Sequence, residues 1–188
     1  MTEGQRKLTA LVVDDDERLR DMLAKTLSHN FPSLDFRTAN DGMDAYNKIK
    51  EQKPDILYTD VTMSRENLSL NGDALLERLV REGINIPTFV LSGELIRLPD
   101  PVVRAVFYST RMYTNEQKGR FELAERPTIE AQRSYLSGIL QEQETKQTLR
   151  RDPNPSYDLG FTALEKPFSL DVIIDRTRRV LEYYSPQS

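Results

Sequence analysis

The stretch Ala10-Leu11-Val12-Val13-Asp14-Asp15-Asp16-Glu17 decides the fold, because an unbroken apolar run ends abruptly in carboxylates. An apolar, β-prone run without polar alternation marks a strand covered on both faces, as in a parallel sheet. In open α/β sheets ligands bind beyond the carboxyl ends of the strands, where the strand order reverses. Asp14 and Asp15 therefore stand where a ligand is held. Asp16 has a plainer role: it precedes a helical pattern and reads as an N-cap, with Glu17 in the first turn, where acids suit the helix dipole. Adjacent carboxylates repel, and one titrates upward unless a cation holds them. A divalent metal is the simplest company for Asp14 and Asp15.

Composition narrows what that metal is. The chain has no cysteine and a single histidine, so thiolate and histidine-rich sites are excluded. Any metal is oxygen-bound and Mg²⁺-like. The formal net charge of −4 gives no general reason to expect direct nucleic-acid binding. The N-terminal Met1-Thr2-Glu3-Gly4-Gln5-Arg6-Lys7 lacks an apolar signal core, and no apolar run approaches the ~20 residues of a membrane helix. A cytoplasmic protein without membrane contact is expected.

The rest of the chain repeats a strand-helix rhythm. Leu19, Met22, Leu23, Thr26 and Leu27 recur at helical spacing from Glu17 to Ser28. His29 lies at that helix's end and is assigned no chemistry. Leu34 to Ala39 alternates as a more exposed strand, Asn40-Asp41-Gly42 is a turn, and Met43, Tyr46 and Ile49 share a helical face. Ile56-Leu57-Tyr58-Thr59 is a third strand, and it too ends in a carboxylate, Asp60. A polar loop then leads to a helix from Gly72 to Glu82 with Ala74, Leu75, Leu76, Leu79 and Val80 as its apolar set, closed by Gly83. Ile86 to Leu91 is a fourth strand ending in Ser92-Gly93. Phe161 to Leu164 is a brief fifth, followed by Glu165, Lys166 and Pro167. A final helix starts near Ser169 as N-cap and buries Val172, Ile173, the Arg176 stem and Val180.

Residues 94–156 break the rhythm and read as a mainly helical insertion within a single domain spanning 1–188. Arg97 to Pro155 holds ten Lys or Arg against eight Asp or Glu, so it makes no basic lobe.

Right-handed crossovers between these units give a doubly wound, flavodoxin-like parallel sheet with five strands in the order 2-1-3-4-5. That order brings Asp14 and Asp15 opposite Asp60, with Ser92 and Lys166 at the ends of the next two strands. Each residue has a dull alternative: Asp60 as a loop cap, Ser92 as a turn hydroxyl, Lys166 as a surface amine. Jointly they match one chemistry. Three carboxylates suit Mg²⁺, one can attack phosphorus, and a hydroxyl and an ammonium can hold phosphoryl oxygens. Asp60 is the candidate nucleophile, since it stands alone at its strand end.

The segments Leu11-Val12-Val13-Asp14-Asp15-Asp16, Leu57-Tyr58-Thr59-Asp60-Val61-Thr62-Met63, Val90-Leu91-Ser92-Gly93 and Leu164-Glu165-Lys166-Pro167-Phe168 together resemble the response-regulator receiver domains of two-component signalling. The resemblance implies that Asp60 accepts a phosphoryl group from a histidine kinase or phosphotransfer protein. It implies that Asp14, Asp15 and Asp60 bind Mg²⁺ with the Thr62 backbone carbonyl, that Ser92 is a switch hydroxyl, and that Lys166 contacts the phosphate and precedes a cis proline bond. Such a protein catalyses only its own phosphorylation and dephosphorylation. No effector segment follows the last helix in this sequence, so output is expected through an effector protein in trans, unless the chain continues.

Three departures from the family pattern stand out. Ser64 replaces the usual proline in a loop from Asp60 to Gly72 that is longer than the family's. Ala163 occupies the place of the switch aromatic, so either Phe161 or Tyr157 substitutes or the coupling of Ser92 to an aromatic is absent. The insertion takes the place of the family's fourth helix. Two rival readings remain: a phosphorylation-independent scaffold or dimerisation module, and a haloacid-dehalogenase-like phosphatase with its nucleophile in Asp14-Asp15-Asp16. Against the phosphatase, Arg18 stands where a small residue is usual and Asp60 goes unused.

Overall fold

Strands β1 (Leu8–Val13), β2 (Leu34–Ala39), β3 (Ile56–Asp60), β4 (Thr88–Ser92) and β5 (Ala163–Glu165) form one sheet ordered β2-β1-β3-β4-β5. All neighbouring pairs are parallel. In this computed structural model the described residues are 7–63, 70–84, 86–93 and 163–184, with the single positions 100, 128, 130 and 134. The helices are α1 (Glu17–Asn30), α2 (Gly42–Glu51), α3 (Gly72–Arg81) and, in this numbering, α4 (Leu170–Tyr184). Apart from those four positions the inserted segment lies outside the described residues, as do Ser64, Tyr157 and Phe161.

The unbroken apolar runs follow from burial on both faces. Leu11, Val13, Leu57 and Val90 pack with Ala45, Tyr46 and Ile49 of α2 and Leu75, Leu76 and Leu79 of α3. The alternate residues Ala10, Val12, Ile56, Tyr58, Phe89 and Leu91 pack with Leu23 and Leu27 of α1 and Ile173 and Val180 of α4. No polar face remains in β1, β3 or β4, and so none is written in the sequence. The helix starts obey local chemistry: Asp16 Oδ1 accepts from the Arg18 and Leu19 N–H groups, and Asp41 Oδ1 from those of Met43 and Asp44. Gly83 takes a φ of 70° just past α3, where a side chain would be strained.

The buried helical stripes are narrower than the apolar residues predict. Met22, Met43, Val80 and Val172 are each 38–45% exposed. Each lies within one residue of a stripe member: Leu23, Gly42, Leu79 and Ile173 respectively. One step along a helix turns a side chain away from a sheet that only one stripe can reach. Conversely, the loop after β3 is less polar in setting than it reads, for Val61 and Met63 are buried. Strand β4 begins at Thr88, so Ile86 and Pro87 precede it. Pro87 still serves the sheet as an acceptor, taking the Leu57 N–H at 2.9 Å.

One polar pair sits inside the second cluster. The Tyr58 and Thr177 hydroxyls lie 2.8 Å apart, both residues are 0% exposed, and the Tyr58 ring stacks on Phe89 at 4.9 Å. Burial pushes the Tyr58 phenol far above its ordinary range, against the smaller downward pull of the Thr177 hydrogen bond, so it stays neutral. Each hydroxyl depends on the other, but Thr177 can turn to its own helix carbonyls and the phenol cannot. Thr177→Val is therefore expected to cost about 1–3 kcal/mol and Tyr58→Phe nearer 1 kcal/mol. The double variant recovers part of the Thr177→Val loss, as urea unfolding midpoints will show.

Candidate functional site

Register brings the acids together. Val13 pairs with Thr59, so the residues one step on, Asp14 and Asp60, emerge side by side at the carboxyl edge of β1 and β3. Oxygens of Asp14, Asp15 and Asp60 lie within 4.8 Å of one another. Asp14 and Asp60 are buried and Asp15 is exposed, so the cluster opens to solvent on one side. Lys166, the residue after β5, reaches back over the edge: its Nζ lies 2.8 Å from Asp60 Oδ2 and 3.0 Å from Asp14 Oδ2. Its own N–H donates to the Ser92 carbonyl at 2.7 Å, tying the lysine to the buried end of β4. The Lys166–Pro167 peptide is cis.

Backbone groups fix the carboxylates further. Asp14 Oδ1 accepts from the Asp16 N–H at 2.9 Å, and Asp60 Oδ1 from the Thr62 N–H at 3.1 Å. Gly72, the first residue of α3, presses on the Asp60 carbonyl so closely that any Cβ there would land on it. Among the described glycines this is the closest such approach, and only glycine permits it. Sequence spacing reads Gly72 as a helix start alone. Arg20 was missed as well. It lies on the stripe of Leu23 and Leu27, where an apolar residue is expected, and donates from a buried guanidinium to the Asp14 carbonyl at 3.2 Å.

The electrostatics are those of charges held out of water. Burial pushes the Asp14 carboxyl above its ordinary range, with the Asp60 charge adding to it, against the pull of Lys166 and the Asp16 N–H. Burial acts on Lys166 in the opposite sense, but its hydrogen bond to Asp60 and the two carboxylate charges win and raise it. A raised lysine stabilises the fold fully below its ordinary value of 10.5, and the contribution is lost as pH rises through the higher native value. A raised aspartate has the reverse sense: ionised Asp14 costs stability at neutral pH, and the cost is relieved as acid protonates it. Without divalent metal, the melting temperature of the Lys166→Met variant is thus expected to lose its alkaline fall above pH 10.5 relative to the parent chain.

Three hard carboxylate oxygen donors, partly open to water, with no cysteine or histidine grouped with them among the described residues, fit a small divalent cation better than a soft transition metal. The structure thus places Asp14, Asp15, Asp60 and Lys166 together and Ser92 at the adjoining strand end. At Thr62 the observed contact is its N–H, not its carbonyl.

Comparison with known proteins points the same way. The family model of the response regulator receiver domain matches residues 10–98. The response regulator MprA of Mycobacterium avium is 38% identical over 83 residues, which are 44% of this chain and 34% of the relative. MprA of Mycobacterium leprae is 37% identical over the same length. The chain spans about a third of the length of these curated relatives. Among solved structures, the Francisella response regulator 1452 receiver domain aligns with 94% of this chain and 97% of its own, at TM-score 0.51 and 20% identity. The signal receiver domain of a DNA binding response regulator protein of Colwellia psychrerythraea aligns with 93% and 98%, at TM-score 0.53 and 18% identity. At such identity these structures are alike in fold.

Proposed function

We propose that this chain, which carries a response-regulator receiver domain, is a phosphoacceptor signalling protein in which Asp60 takes a phosphoryl group from a histidine kinase or phosphotransfer protein. The observation that carries this reading is the bridging of Asp14 and Asp60 by Lys166 beside a third acid, at the switch point of the sheet. An Asp60 carboxylate oxygen attacks phosphorus; the new O–P bond forms as the P–N bond to the donor imidazole breaks, and the imidazole leaves with the electron pair and a proton from water. Lys166 neutralises one phosphoryl oxygen and the Ser92 hydroxyl receives another. Asp14, Asp15, Asp60 and the Thr62 carbonyl would hold Mg²⁺, which when bound would supply positive charge where the transferring group gathers negative charge.

Receiver domains are signalling proteins, and this one acts on itself alone, without turning over a separate substrate. Its output passes to an effector, in a cytoplasmic setting and without direct nucleic-acid or membrane contact; no described helix is long and apolar enough to cross a membrane. We read 1–188 as one domain interrupted at 94–156 between β4 and β5, which pair directly. Incubation with acetyl phosphate and Mg²⁺ is expected to add one phosphoryl group per chain by intact mass, and chelation to prevent it. An unchanged mass under both conditions contradicts the proposal.

One observation favours the scaffold reading. Ala163 pairs with Val90 in β5, so an alanine holds the strand position of the family's switch aromatic. If coupling through that position is absent, hydrogen exchange across the inserted segment will be the same with and without a phosphoryl mimic.

A further inference from the structure

The geometry points to Arg20 as a positioning residue for Asp15, acting through the peptide that joins Asp14 to Asp15. The inference rests on the reading of these two acids as cation ligands. The Asp14 carbonyl, which accepts from the Arg20 guanidinium at 3.2 Å, belongs to that peptide unit. The other groups of Asp14 are held elsewhere: its N–H by the Ala39 carbonyl at 3.3 Å, one carboxylate oxygen by the Asp16 N–H, the other by Lys166. Those bonds fix the strand end and the Asp14 side chain. On its carbonyl side the 14–15 peptide, from which the exposed Asp15 leaves β1, is held by the bond from Arg20.

The placement of Arg20 is costly for a surface-derived side chain. It is 8% exposed, on a helix stripe otherwise filled by Leu23 and Leu27, and its Nε has no hydrogen-bond partner. Its near charges are Asp21, at 3.5 Å from Nε, and Asp44 on α2, whose carboxyl it helps to lower after burial and the Lys48 and Asn40 hydrogen bonds have acted. An apolar residue on that stripe would pack without stranding a donor. What an apolar residue cannot do is hold the Asp14 carbonyl.

Sign separates this role from plain electrostatics. A guanidinium beside a cation site repels the cation, so charge alone predicts tighter binding when Arg20 is removed. Positioning predicts weaker binding, by about tenfold, the lower end of what groups orienting metal ligands contribute. The test is an Mn²⁺ titration followed by electron paramagnetic resonance at neutral pH. It uses the parent chain, Arg20→Met, Arg20→Lys and Asp15→Ala, with thermal melts showing each to be folded. Arg20→Met is expected to bind about tenfold more weakly, and Arg20→Lys, which retains one donor on a shorter reach, to recover part of the loss. Equal or tighter binding by a folded Arg20→Met overturns the inference while leaving the site intact. A parent chain that binds no Mn²⁺, or an Asp15→Ala that binds as the parent does, overturns the cation-site reading and the role of Arg20 with it.

Discussion

Asp60→Asn is expected to take up no phosphoryl group from acetyl phosphate under conditions that label the parent chain once, and to remain folded. The amide keeps the shape of the carboxylate and an oxygen for the Thr62 N–H, which now bonds Asp60 Oδ1 at 3.1 Å. It removes the anionic oxygen that attacks phosphorus, and in the proposed arrangement Asp14 and Asp15 serve as cation ligands and do not take over its role. The variant also relieves repulsion among three acids whose oxygens lie within 4.8 Å, so its melting temperature without metal should equal or exceed that of the parent. Intact mass reads the first outcome and calorimetry the second. Undiminished labelling of Asp60→Asn would place the nucleophile elsewhere.

Lys166→Met is expected to give the largest change in stability. It takes the shared cation from Asp14 and Asp60, which are 1% and 6% exposed. Breaking a fully buried pair costs roughly 3–5 kcal/mol, but the Lys166 side chain keeps 24% exposure and solvent screens the site, so about 2–3 kcal/mol is expected here. In a chain of this size that lowers Tm by about 4–12 °C. The deficit should shrink as pH falls, since protonation of Asp14 removes one of the stranded charges. It should shrink again with saturating Mg²⁺, which takes over the neutralising role and stabilises whichever state it binds. A Tm unmoved by the substitution, with or without Mg²⁺, would mean that the two ion pairs contribute nothing.

Much of this was legible because strand ends are written in the sequence. The apolar run to Val13 and the run to Thr59 each stop at an acid, and parallel pairing of these strands leaves Asp14 and Asp60 nowhere else to emerge. The strand order and the reach of Lys166 followed from the same rhythm. What was not legible depends on contacts between residues far apart in the chain. Nothing local marks Gly72 as touching the Asp60 carbonyl, or Tyr58 as the partner of Thr177. Arg20 was hidden differently. Its spacing from Leu23 and Leu27 marks a buried stripe, but a charged residue there reads as exposed until the carbonyl it serves is seen. Met43 and Val172 erred the other way, since apolar character reports capacity for burial and not the width of the face that is buried.

Asp60, and not the paired acids of β1, is proposed to carry the phosphoryl group. The most direct test is to label the chain with acetyl phosphate and Mg²⁺, quench in acid, digest with pepsin and locate the modified peptide by tandem mass spectrometry. Phosphoryl mass is expected on the peptide covering β3 and Asp60, at one per chain. Label on the peptide carrying Asp14, Asp15 and Asp16 would contradict the assignment and favour a phosphatase-like use of the first strand.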